Sequence, residues 1–230
     1  MRTAFAVALL AIAALLGGCA GTPQLPVAVS QDFLAAKGTR VGVAMTPLPT
    51  VDTYLPGADC LLCMAAASLM NSSLTAHVKT LPHEDLPPLK ADIAALLRSK
   101  GLDATVVDKP IDLNALPDFS SKEPNFAAKD FSSLKSQLNV DRLLVIDINA
   151  LGAWRTYSAY IPTSDPKAVL RGAGYIVNLS NNALDWYLPV NILKSAEQSW
   201  DEPPKFPGLT NAYFQAIEIG KDTFKQPFQQ

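Results

Sequence analysis

The sequence predicts an α/β (α+β) fold: a single three-layer-like domain with a mixed central sheet and helices packed on it, behind a cleaved signal peptide and a short tether. Three observations predict it. Leu143, Leu144, Val145 and Ile146 form a continuous apolar run, as in a central strand covered on both faces. Residues 89–100 form a helical run that Gly101 stops, and strand-forming residues 102–107 follow, which is the helix-to-strand step of a layered fold. Residues 172–179 and 183–192 read as two strands joined at Ser180, Asn181 and Asn182, a hairpin signal.

The elements then follow in order across residues 39–230, the expected domain. Arg40 to Met45 reads as a buried first strand, with a proline-bounded loop after it. Asp59 is placed to cap a helix reaching about Lys79, with Leu62, Met64, Ala65, Leu69, Met70, Leu74 and Val78 as its apolar stripe. Pro87 and Pro88 stand where proline is tolerated, at a helix start, and Arg98 and Lys100 place positive charge in the last turn. A proline-rich loop over 108–129 leads to a short helix over 130–138, using Phe131, Leu134 and Leu138. The central strand continues, alternating, towards Trp154 and Arg155. An amphipathic helix over 210–225 closes the order on Tyr213, Phe214, Ile217 and Phe224.

Ahead of the domain, Arg2 gives a positive start, residues 4–16 are unbroken apolar, and Gly17 and Gly18 precede Cys19. These are the parts of a secretory signal. The run is shorter than the roughly 20 residues that a membrane span needs. Leu16-Gly17-Gly18-Cys19 resembles the lipobox of bacterial lipoproteins; the alternative is an ordinary signal cut by the general peptidase. The resemblance implies a signal peptide over 1–18, diacylglyceryl transfer to the Cys19 sulfur, cleavage before it, and acylation of the new amine by a palmitate-like chain. Residues 19–38 would then be a lipidated tether, and two or more chains hold a protein on its membrane stably. Ala20 rather than an aspartate follows Cys19, which in such lipoproteins implies the outer membrane, facing the periplasm.

A net charge of −2 with no basic run excludes a nucleic-acid face. Cys60 and Cys63 are separated by two leucines. An oxidising periplasm would allow a small disulfide between them. A thioredoxin-like redox site would want a strand-to-helix setting, and a zinc site would want two further ligands, for which His77 and His83 are the histidines on offer. Leu61 and Leu62, with Met64 and the three alanines after it, read as core. Ser68, Ser72, Ser73 and Thr75 lie near His77 in sequence, but a serine and a histidine on one helix without a strand-turn-helix elbow do not make a nucleophile. The expectation is therefore no catalytic residue, no metal ligand, no cofactor and no enzyme activity.

Two blocks carry a wider resemblance. Asn139-Val140-Asp141-Arg142-Leu143-Leu144-Val145 is one; Arg171 to Leu179, followed by Asn182-Ala183-Leu184-Asp185-Trp186, is the other. Together with the order of elements they resemble the TolB amino-terminal-like fold over most of residues 40–194. That fold is shared by envelope lipoproteins of the curli-secretion, exopolysaccharide-export and penicillin-binding-protein-activator groups. The resemblance carries over no catalytic residue. It implies a non-enzymatic interaction or accessory subunit of an export, secretion or cell-wall assembly. Its partners would be the membrane, through lipid on Cys19, and an envelope protein. Two alternatives stand beside it: a self-assembling periplasmic ring or channel subunit, and a thiol-disulfide protein using Cys60 and Cys63. Asp141 is expected to cap the preceding turn, and Trp186 to pack with Tyr175 on one sheet face.

Overall fold

The structure is a computed structural model that describes residues 23–202 and 205–229; Cys19 and the signal segment lie outside the described residues. It is a mixed α/β fold with helices packed on a mixed central sheet, as expected. The elements are α1 (Gln31–Ala35), β1 (Arg40–Met45), β2 (Asp52–Tyr54), α2 (Leu61–Met70), α3 (Ser72–Val78), α4 (Leu89–Ser99), β3 (Asp103–Val106), α5 (Leu134–Leu138) and β4 (Arg142–Trp154). A small hairpin, β5 (Tyr157–Ser158) and β6 (Ile161–Pro162), comes next, then β7 (Lys167–Asn178), β8 (Leu184–Ser195) and α6 (Pro207–Lys225).

The sheet runs β3-β1-β4-β7-β8, with β2 also paired to the far end of β4. β1 lies parallel to both β3 and β4, while β4, β7 and β8 form an antiparallel run of long strands. Parallel neighbours need crossover connections, and α4 makes the one from β1 to β3. Its stop is chemical: Gly101 has φ +88°, a left-handed conformation that favours glycine.

Because side chains alternate along each strand, the sheet has two distinct faces. On the helical face, Leu144, Ile146, Leu170 and Ile176 pack under α3, α4 and α6 through Leu74, Ile93, Leu97, Tyr213, Ile217 and Phe224. Each large apolar side chain buried this way contributes about 1.5–3 kcal/mol. The other face has no long helix. Leu143, Val145, Tyr175 and Val177 are covered instead by Phe131, Leu134 and the 107–131 segment. Asn182 fastens that cover. From the β7–β8 turn, with φ +64°, its Nδ2 donates to the carbonyls of Ala127 (3.0 Å) and Lys129 (2.8 Å), and its Oδ1 accepts from Phe131 N (3.0 Å).

Three local expectations are corrected. Trp186 stands opposite Ile176, and Tyr175 opposite Tyr187, so the two aromatics are on opposite faces. Trp186 packs edge-on to Phe228 (centroids 5.0 Å apart) and over Gly174, where a Cβ would collide with its ring. Asp141 does not cap a turn; it takes a two-point contact from Arg40, Nε to Oδ2 at 3.0 Å and Nη2 to Oδ1 at 2.9 Å. That hydrogen bond holds the Asp141 carboxyl below the usual carboxylate range. The described part of the expected tether is docked: Val27 pairs with Tyr187, Ser30 N donates to Asp185 O (3.0 Å), and Phe33 is buried.

Candidate interaction surface

The 60–78 region departs most from the sequence reading. Its helix is capped by Cys60 rather than Asp59, with Cys63 N donating to Cys60 Sγ at 2.9 Å, and it breaks at Asn71 into α2 and α3, bent by 71°. The cause sits in the break. Asn71 Nδ2 donates back to the Ala67 carbonyl at 2.7 Å, the local side-chain bond that bends helices.

Only one side of α2 faces the protein. Cys63 and Ala67 pack with Leu55, Ala58 and Tyr157 in a small separate cluster. The α2 half of the expected stripe points the other way: Leu62 is 70% exposed and Leu69 76%, with Met64 and Met70 also open to solvent and Leu61 beside them at 88%, whereas Leu74 and Val78 on α3 are buried as expected. Tyr160 and Ile161 of the adjoining β5–β6 hairpin are exposed as well, and the Tyr160 hydroxyl lies 3.8 Å from the Cys60 sulfur. Seven of the eleven exposed large apolar side chains among the described residues therefore stand on this one helix and hairpin. Scattered exposed leucines need no explanation, but seven large apolar side chains exposed on one helix and the adjoining hairpin are a concentration that calls for one.

The patch has a rigid base. Tyr157 N donates to Pro56 O at 2.8 Å and Ala159 N to Gly57 O at 3.0 Å, which fixes the hairpin to the 55–58 loop. Tyr157 OH and Arg155 Nη1 both bond the Asn71 side chain, at 2.7 and 3.0 Å. The Cys60 and Cys63 sulfurs are within bonding distance across the first turn of α2, their Cα atoms 4.9 Å apart.

The histidines and hydroxyls near it are not assembled into a reacting group. His77 Nε2 is 2.8 Å from Thr210 Oγ1 on α6, and its ring lies 5.5 Å from that of Phe206. Burial, and then the nearby Lys205 charge, lower its pKa below the ordinary histidine value. Ser68, Ser72 and Ser73 are exposed, and Thr75 is half-buried. His83 Nδ1 is buried without a hydrogen-bond partner among the described residues. Among the described residues there is no group of three or more His, Cys, Asp or Glu side chains able to hold a metal ion.

On the loop face, Asp147 is the polar feature that sequence reasoning missed. Its Oδ1 accepts from Thr46 Oγ1 at 2.9 Å, and burial raises its pKa while that bond works against the rise. Burial also raises the Tyr175 hydroxyl, with the Asp147 charge adding to it. The signal was available: an aspartate interrupting the apolar central strand.

No protein-family model matches the sequence, and no curated protein matches it. Solved structures with a similar chain path include the PelC dodecamer from Paraburkholderia phytofirmans (10% identity, 85% of this chain and 92% of that chain, TM-score 0.28). Protein XCC0632 from Xanthomonas campestris is similar at 10% identity, with 90% of this chain and 93% of that one covered and a TM-score of 0.38. Lipoprotein GNA1162 from Neisseria meningitidis is similar at 13% identity, covering 79% and 96%, with a TM-score of 0.29. All three are bacterial proteins, and likenesses at these TM-scores assign no function to this chain.

Proposed function

We propose that the protein is a lipid-anchored lipoprotein of the bacterial envelope, of the TolB amino-terminal-like group, and a non-enzymatic accessory subunit that docks a protein partner of an envelope assembly. The apolar face formed by α2 and the β5–β6 hairpin carries this reading. The lipobox-like Leu16-Gly17-Gly18-Cys19 supports the anchor, and Ala20 supports the outer membrane.

A protein suits the apolar face better than a lipid surface does. Helices that lie in a membrane interface carry Lys and Arg on their polar side. Residues 57–78 and 156–163 contain no Lys or Arg at all. Leucine, methionine and tyrosine over a small buried base match the centre of a protein interface, where charge is depleted and aromatics and Met are enriched. Position supports the same choice. Val27, docked at Tyr187, is level with Val145, and the patch begins beyond Trp154 on that strand. At the rise of a strand this separation is roughly 30 Å, so the docked start of the chain and the apolar face occupy different parts of the surface.

The test places a photo-cross-linker at Leu62 or Leu69 in the full lipidated chain in cells, followed by mass spectrometry. A discrete envelope protein, captured from position 69 and lost there in Leu62→Glu, is the expected result. A ladder of self-products would transfer the reading to a ring or channel subunit, and lipid adducts alone would overturn docking. Loss of acyl incorporation in Cys19→Ala checks the anchor separately.

A further inference from the structure

A cavity of about 280 Å³ opens on the loop face, between β4, β7 and β8 and the segment that Asn182 fastens. Its walls include Phe126, Phe131, Tyr175 and Tyr187, with Asp147 among them as the carboxylate. Tyr175 stands opposite Val145 and Asp147 opposite Ala173, so the phenol ring and the acid are diagonal neighbours on one face. Thr46 occupies one Asp147 oxygen; the other has no hydrogen-bond partner among the described residues. Among the described residues no cation offsets the acid. Lys129, which also lines the cavity, is held by Asp118 at 2.8 Å.

We propose that this cavity binds a small organic ammonium, its charge on Asp147 and its alkyl groups against the aromatic walls. The chemistry selects that class. Aromatic faces attract cations, and aromatic-lined sites recognise quaternary and alkylated ammonium groups. A partly buried carboxylate repels an anion and gains little from a neutral apolar guest. The volume lies just under the roughly 300–1,000 Å³ of pockets that take drug-sized ligands, so the guest is the size of choline or ethanolamine. Its source is a free amine or the head of a phospholipid. Gln24 is on the cavity wall, five positions after Cys19, and an anchor there would hold the opening near headgroups; this last step alone rests on the anchor reading.

Calorimetric titration of the full chain in maltoside detergent, with choline and with ethanolamine, tests the assignment. The neutral choline isostere 3,3-dimethylbutan-1-ol is the control. Saturable binding of an ammonium is expected, at least tenfold weaker in Asp147→Asn and for the isostere, and severalfold weaker in Tyr187→Leu. Melting curves show that each variant is folded. Absence of binding by both amines, equal binding of the isostere, or unchanged binding in folded Asp147→Asn would overturn it. Repeating the titration in nanodiscs separates the sources. Binding blocked by phosphatidylethanolamine but not by phosphatidylglycerol identifies the lipid head, and binding retained in both identifies a free amine.

Discussion

Asn71 holds Tyr157 from the break between α2 and α3, its Nδ2 donating to the phenol oxygen at 2.7 Å. The same nitrogen bonds the Ala67 carbonyl, the side-chain oxygen accepts from Arg155, and Asn71 is 1% exposed. One buried amide thus ties both helices to the hairpin and sets the plane of the apolar face. Asn71→Ala leaves the phenol without its partner and takes one from the guanidinium, which keeps Ser164 O, while the Ala67 carbonyl keeps Asn71 N at 3.1 Å; a buried group left unpaired costs about 1–3 kcal/mol. A loss of about 2–4 kcal/mol is expected, against about 1 kcal/mol for Tyr157→Phe, which removes one bond. Denaturant unfolding of both variants checks this; equal losses would show that Asn71 does not organise the joint.

The Cys60–Cys63 link closes a very short loop at the N-cap of α2. Chain-entropy arguments give such a loop at most about 2 kcal/mol. Cys60→Ser/Cys63→Ser is therefore expected to melt a few degrees lower while still cross-linking its partner through position 62. Thiol alkylation with mass measurement reports whether the link is present in protein taken from the envelope. Unchanged melting with lost function would instead favour the thiol-disulfide reading, with the exposed Cys60 as the attacking sulfur.

Some of this architecture is legible in the residues and some is not, for physical reasons. β1 falls on Arg40–Met45 as expected, and α4 ends where Gly101 supplies a left-handed residue. The β7–β8 hairpin turns at the expected asparagines. The outward face of α2 could not be read. Leu, Met and Ala surround that helix, so its apolar pattern has no phase, and only Leu55, Ala58 and Tyr157, distant in sequence, select Cys63 and Ala67 as the inward pair. The opposite placement of Trp186 and Tyr175 follows from a pairing that puts Ile176 against Trp186, with a bulge beside it; local alternation does not encode that register. Nor does periodicity reveal that the irregular 107–131 segment is the third layer, because its attachment runs through Asn182 and not through a stripe.

That attachment gives a prediction of its own. Asn182→Gly keeps the left-handed backbone accessible and deletes all three side-chain bonds. The expected cost is about 2–3 kcal/mol, from buried groups losing their partner. Hydrogen exchange should show the loss concentrated at the Phe131 amide, with the amides of α4 unchanged. Uniform loss of protection would mean that the cover is no separate unit.

Leu62→Ser and Leu69→Ser probe the other side of the balance between stability and function. Both side chains are more than two-thirds exposed, and surface changes of this kind stay within about 0.5 kcal/mol. Melting is expected to be unchanged while partner capture falls at least tenfold. A marked drop in melting temperature would place these leucines in the fold rather than at an interface.

Asp147 sets a pH dependence whose sign can be worked out. Its folded pKa is raised above the ordinary carboxylate value of 3.8, chiefly by burial. A raised acid binds its proton more tightly in the folded state, so its stabilising contribution is complete below the unfolded pKa and is lost as pH rises through the folded one. Asp147→Asn carries no such charge. The variant is expected to gain on the native protein as pH climbs from below 3.8 towards neutrality, with a constant difference beyond. Melting temperatures of the two proteins across that range, without added amine, decide it. A difference that stays flat with pH would mean that the acid ionises as easily folded as unfolded, and one that narrows would mean that a cation already compensates it. A saturating small ammonium should then cut the native protein's deficit at neutral pH and stabilise the asparagine variant much less, because only a carboxylate gives the guest a charge to meet.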